Sequence, residues 1–157
     1  METAKIEINY SVYSGIEELD ACDKELALAA ISAMRGAYAP YSHFHVGAAV
    51  RLDNGAIVEG ANQENAAFPS GLCAERTAMF SAGASYPDRQ MTGIAIAGGV
   101  MGILSKHPAS PCGACRQVMA QYQSKSGKPM SILLVSSSKI LKFARVDDLL
   151  PFIFDNI

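Results

Sequence analysis

The chain predicts an α/β fold in one domain, a mixed β-sheet flanked by helices on both faces. Three observations carry that prediction. A helical stretch is followed by two strand-like runs joined by Asp53-Asn54-Gly55, a tight-turn sequence that makes the first strand pair antiparallel. Beyond that hairpin, strand-like and helical runs alternate. The later strand-like runs, 93–97 and 131–135, are apolar without alternation, so both of their faces should be covered. At 157 residues, with no internal repeat, low-complexity segment or linker, the whole span 1–157 reads as a single domain.

Residues 20–38 read as an amphipathic helix. Leu26, Ala29, Ala30 and Ala33 mark the 3.6-residue period, Asp20 or Asp23 serves as N-cap, and Pro40 closes it. Residues 46–52 and 56–61 are the two hairpin strands. The stretch 62–72 is irregular, because Pro69 and Gly71 oppose both regular states. A second helix opens near Cys73 and runs to about Ala82, with Gly83 as its stop. After the strand at 93–97, residues 98–110 read as a long loop carrying Gly98-Gly99 and Pro108. A third helix opens at Cys112 and continues to about Gln123. Phe143 and Val146 point to a further strand, and 147–150 to one helical turn before Pro151.

Composition narrows the partners. Hydrophobic residues make up 50% and charged residues 18%, a globular rather than disordered balance. A net charge of −2 and the absence of a Lys/Arg run argue against a nucleic acid polymer or an anionic membrane. Residues 1–12 hold no signal-peptide core and no stretch approaches ~18 apolar residues, so a soluble cytoplasmic protein is expected. In that compartment cysteines serve as thiols or metal ligands rather than disulfides. Cys22 stands apart from the other three and reads as a small buried apolar side chain.

The chemistry sits in Cys73-Ala74-Glu75-Arg76 and Pro111-Cys112-Gly113-Ala114-Cys115. Cys112 and Cys115 are spaced i, i+3, so their sulfurs share one face of a helical turn. Cys73 supplies a third thiolate from another helix start. Three protein ligands leave one tetrahedral position open, which separates a catalytic zinc from a closed structural one. Both motifs lie where a loop becomes a helix, and a helix N-terminus stabilises thiolates. Three thiolates on Zn²⁺ leave an excess negative charge, and Arg76, at i+3 from Cys73, is placed to offset it through hydrogen bonds to sulfur. Glu75, beside the metal and not bound to it, is the proton carrier.

Asn62-Gln63-Glu64-Asn65-Ala66, Cys73 to Ala78, and Pro111 to Val118 together resemble the homotetrameric, small-subunit cytidine deaminases. The run Tyr41-Ser42-His43-Phe44-His45-Val46-Gly47 is similar to that family's early strand. The resemblance spans nearly the whole chain. It implies a three-layer α/β/α sandwich and hydrolytic deamination of cytidine and 2′-deoxycytidine in pyrimidine salvage. It further implies one zinc per subunit on Cys73, Cys112 and Cys115, with Glu75 moving protons. Asn62 and Glu64 match positions that hold ribose hydroxyls, Phe44 an aromatic beside the nucleoside, and Ala74 a backbone N–H for the pyrimidine carbonyl. Phe154 matches a C-terminal phenylalanine that reaches a neighbouring subunit's site, within a homotetramer whose active sites lie at interfaces. The chain departs from the pattern at Phe68 (often tyrosine), at Ala67 (usually serine), and in a longer interval between Cys73 and Cys112, with the surplus at 100–109 on the surface.

Other readings compete. Pro-Cys-Gly-Ala-Cys alone suits a thioredoxin-like redox pair, but not with Cys73-Ala-Glu-Arg and the Asn62/Glu64 pair beside it. A structural zinc wants four ligands, and nothing in the spacing brings His43, His45 or His107 to the metal. A blasticidin-type aminonucleoside deaminase shares both cysteine motifs; the Asn62/Glu64 pair favours a ribose-bearing substrate. A catalytically inactive zinc-stabilised scaffold has no use for Glu75.

Overall fold

Asp20 starts the first helix, its carboxylate accepting the Asp23 N–H at 2.8 Å. The computed structural model of the chain describes residues 1–155. Helix α1 spans Ala21–Ala33 and gives way to a 3₁₀ turn over Met34–Gly36, short of the predicted end at Tyr38. Tyr38 is drawn off the helix by the irregular segment, donating to the Asn62 carbonyl at 2.9 Å and accepting the Glu64 N–H at 2.8 Å.

The strands follow in chain order as β1 (Tyr10–Tyr13), β2 (Phe44–Leu52), β3 (Ile57–Ala61), β4 (Met91–Val100), β5 (Ser131–Val135) and β6 (Ile140–Phe143). Among the described residues they form one sheet in the order β1-β6-β5-β4-β2-β3. β4 and β5 pair parallel; the other neighbours pair antiparallel. Gly55, at φ +86°, takes the left-handed position of the β2–β3 turn, as the Asn-Gly pair requires.

Helices α2 (Ala74–Ser85) and α3 (Gly113–Ser126) cover one face, where Ala78, Met79 and Met119 pack on Val50, Ile94, Ile132 and Leu134. Helix α1 covers the other, where Leu26, Ala27 and Ala30 meet Ala49, Ala95, Leu133 and Val135. Two neighbouring glycines set how closely the layers approach. A Cβ at Gly47 would stand 2.2 Å from the Ala30 carbonyl oxygen of α1, and one at Gly60 2.4 Å from the Ala78 nitrogen of α2. Lys142 on β6 is ion-paired to Asp23 on α1, joining that helix to the far side of the sheet.

Several expectations are corrected. Gly83 does not stop α2; it lies inside the helix, where a Cβ would stand 2.4 Å from the Tyr122 hydroxyl. Gly98 and Gly99 belong to β4 rather than to a loop, because the strand passes under Phe44 and the Ile103 backbone. Cβ atoms there would lie 3.0 Å from the Phe44 ring and 1.7 Å from the Ile103 carbonyl oxygen. Val146 opens a 3₁₀ turn over Val146–Asp148 instead of extending a strand. Strand β1 was not foreseen, although Ile6, Ile8, Tyr10 and Val12 alternate with polar residues. Helix α3 ends where Gly127 adopts φ +64° and donates back to the Gln123 and Ser124 carbonyls.

Candidate metal centre and substrate pocket

Two helix starts deliver three thiols. Cys73 is the N-cap of α2 and Cys112 the N-cap of α3, both in extended backbone, and neither side chain caps its own helix. Their sulfurs are therefore left to face one another, 3.8 Å apart. Cys115, fully buried one turn into α3, stands 3.5 Å from Cys112, and all three Sγ atoms lie within 4.8 Å of one another. Thiolates about 2.3 Å from one tetrahedral ion stand roughly 3.8 Å apart, so the cluster fits zinc as it is. Among the described residues no histidine joins it, and all four cysteines of the chain are free thiols; Cys22, expected to be buried, is exposed in the first turn of α1.

The cluster is polarised. The hydrogen bond with Cys115 and the Arg76 guanidinium lower the Cys73 thiol to about 5 against the opposing effect of burial. Cys115 is pushed up, first by Cys73 and then by burial. Arg76 Nη2 lies 3.6 Å from Cys73 Sγ, and that contact holds the guanidinium pKa above its ordinary value. Arg76 Nε is buried with no hydrogen-bond partner among the described residues. A guanidinium aimed at sulfur with one donor unspent suits a centre that carries more negative charge than three neutral thiols.

Glu75 follows in the first turn of α2, only 4% exposed. Burial pushes its carboxyl up, and the nearby Cys73 charge pushes the same way. It lines a cavity of about 180 Å³ together with Phe44, Asn62, Cys73, Ala74 and Cys112. Ala74, the first residue of α2, presents an N–H from the helix start, where such groups have no intrahelical partner. Ala109 and Ser110, the end of the long interval between the motifs, also line this cavity, while Ile103 in the same interval is exposed.

Asn62 and Cys73 also line a wider cleft of about 450 Å³ with Tyr41, Glu64, Phe68 and Arg76. Here the Asn62 amide is tied to β2, with Nδ2 donating to the Phe44 carbonyl at 2.9 Å and Oδ1 accepting the Val46 N–H at 2.8 Å. Glu64 grips the turn that leads into β2. Its carboxylate accepts from the Ser42 hydroxyl at 2.5 Å and from the Tyr41 and Ser42 N–H groups at 2.9 and 3.2 Å. Those bonds, the Ser42 hydroxyl first, hold the Glu64 pKa below the ordinary carboxylate value. The Phe68 ring, at the family departure, meets Tyr41 edge-on at 5.5 Å.

The structure thus brings Cys73, Glu75, Cys112, Asn62, Phe44 and Ala74 to one cavity and Glu64 and Arg76 to the adjoining cleft. Phe154 lines neither; its backbone is held by Gln117 and its ring is exposed. Ser42 and Tyr41 were missed as the anchors of Glu64, as was Arg116, which bonds to the Pro111 carbonyl. A Tyr-Ser pair just before a strand is a weak turn signal, and only the fold brings Glu64 to it.

The chain matches the family model of the cytidine and deoxycytidylate deaminase zinc-binding region over residues 20–127. It is 49% identical over 92 residues to a cytidine deaminase of Halalkalibacterium halodurans, a match covering 59% of this chain and 65% of that protein. It is 41% identical over 118 residues to a cytidine deaminase of Sporosarcina psychrophila, covering 75% of this chain and 80% of that one. The crystal structure of a cytidine deaminase from Burkholderia pseudomallei superposes with a TM-score of 0.68 at 40% identity, over 83% of this chain and 97% of that chain. The chain belongs to the cytidine and deoxycytidylate deaminase family, the zinc-binding deaminases.

Proposed function

We propose that this protein hydrolytically deaminates cytidine and 2′-deoxycytidine to the corresponding uridines and ammonia. The observation that carries the reading is the buried Glu75 carboxyl beside a three-thiol cluster in a cavity lined also by Phe44 and Asn62. Cys73, Cys112 and Cys115 hold zinc, which when bound supplies Lewis acidity that makes water nucleophilic at neutral pH. Glu75 accepts a proton from the attacking water and gives one to the departing nitrogen; its raised pKa suits a group that must carry that proton. Arg76 balances the excess negative charge of the thiolates.

Substrate binding falls to the residues around the cavity. The Ala74 N–H meets the pyrimidine carbonyl and Phe44 packs against the base. Asn62 and Glu64 take the ribose hydroxyls. Asn62 Nδ2 uses one of its two hydrogens on Phe44, and the Glu64 carboxylate, which accepts three hydrogen bonds, keeps about one lone-pair site, so both retain capacity for a sugar. The protein works as a homotetramer in the cytoplasm, in pyrimidine salvage, with Phe154 completing a neighbouring subunit's site. Its exposed ring, set apart from the cavities of its own chain, supports that role. Among the described residues no helix is long and apolar enough to cross a membrane.

Ammonia release from cytidine and deoxycytidine by the zinc-loaded protein tests the reading. Turnover on both is expected. Zinc bound with no turnover on either would refute it and direct attention to another aminopyrimidine nucleoside. Full activity in a monomer would refute the role of Phe154.

A further inference from the structure

Cys112 is the exposed member of the three thiols, so packing does little to hold its side chain. Apart from its contacts with the Cys73 and Cys115 sulfurs, its placement depends on its backbone. That backbone has two soft dihedrals, and each is bounded by a peptide group. Arg116 holds both. Its Nε donates to the Pro111 carbonyl at 2.9 Å, and its own N–H donates to the Cys112 carbonyl at 3.0 Å.

The guanidinium is itself braced from the far side, where Nη1 donates to the Leu149 carbonyl at 2.9 Å. Leu149 follows the Val146–Asp148 turn, which is bonded to α3 through the Val146 N–H and Gln123 Oε1 at 3.0 Å. Leu149, Leu150 and Ile153 pack on the core cluster that contains Cys115 and Met119. Gln117 fastens the same segment further on, donating from Nε2 to the Phe154 carbonyl at 2.7 Å. The C-terminal segment is thus tied along α3, and Arg116 carries the tie to the loop before Cys112.

We infer that Arg116 is a positioning residue of the metal centre, whose guanidinium, braced by Leu149, fixes the Pro111–Cys112 peptide and with it the Cys112 thiol. The inference rests on the reading that the three cysteines hold zinc. A planar guanidinium serves two carbonyls in fixed geometry, which the flexible point charge of lysine does not. The competing role is that of a simple anchor for the chain's end, with no bearing on the metal.

Zinc release to a chromophoric chelator, and thermal unfolding with and without zinc, separate the two for wild type and Arg116→Met. Outer partners of metal ligands commonly govern affinity by 10–100-fold, so release about 10-fold faster is expected. The Tm difference between zinc-loaded and zinc-free protein should also narrow. An anchor alone lowers both Tm values equally and leaves release at the wild-type rate, which would overturn the inference while sparing the cysteine assignment. A wild-type protein that holds no zinc overturns the assignment and the inference with it. Should Arg116→Met fail to fold, Arg116→Lys is put through the same comparison, with the same outcomes decisive.

Discussion

Arg76 and Cys73 stand one helical turn apart on α2, the guanidinium Nη2 3.6 Å from the thiol sulfur. The contact links the cleft that holds Glu64 to the thiol cluster, because Arg76 and Cys73 both line that cleft. It also helps lower the Cys73 thiol, after the larger effect of Cys115. Arg76→Gln should therefore weaken zinc binding roughly tenfold, as loss of a ligand's hydrogen-bond partner does elsewhere. Chelator competition measures this directly; wild-type affinity together with wild-type kcat would refute the charge-balancing role.

Glu75 is isosteric with glutamine but for its proton chemistry. Glu75→Gln should keep one zinc per chain while kcat falls about 10²–10⁴-fold, the usual share of a general acid–base group. Metal analysis and ammonia release on the same preparation give both numbers. Equal turnover would dispose of the proton-carrier assignment.

Glu64 titrates below the ordinary carboxylate value of 4.5 because the Ser42 hydroxyl and the Tyr41 N–H bind its charged form. A carboxyl depressed in the folded state adds stability above its unfolded pKa and loses it as the pH falls through the folded one. Ser42→Ala should move the Glu64 midpoint upward towards 4.5. Carboxyl-carbon NMR follows the titration, and an unchanged midpoint would show that Ser42 does not hold this group.

Gly47 and Gly60 sit in adjacent strands, paired with Ala61 and Ala48. Each gives a helix room to approach, one on either face. Gly47→Ala and Gly60→Ala should each cost about 1–3 kcal/mol or more, the range for forcing extra carbon into a packed interior. Urea denaturation reads the loss; wild-type stability in either variant would mean that the layers shift apart freely.

The legible parts of this chain were those whose signal is local. Asp20 as an N-cap, the Asn54-Gly55 turn and the apolar run 131–135 all carry their structure within a few residues. The thiol cluster was legible for another reason, since cysteines at these spacings have few uses. What escaped was settled by distant neighbours. Gly83, Gly98 and Gly99 look like breakers, yet each lies in a regular element because Tyr122, Phe44 or Ile103 occupies the space of a side chain. Arg116 escaped likewise, since its partner Leu149 lies 33 positions further on.

The parallel pairing of β4 with β5 has a bearing on how the protein is made. Cys73 and Cys112 are 39 positions apart, and α3, which Cys112 caps, is the crossover that connects β4 to β5. On a ribosome, residues 131–135 emerge after all three cysteines, so the thiols are exposed before the sheet beneath their helices is complete. The last part of the chain, which pins Arg116, comes later still. A tight metal site is therefore a late product of synthesis, and chains cut short before Leu149 should bind zinc loosely even with every ligand present.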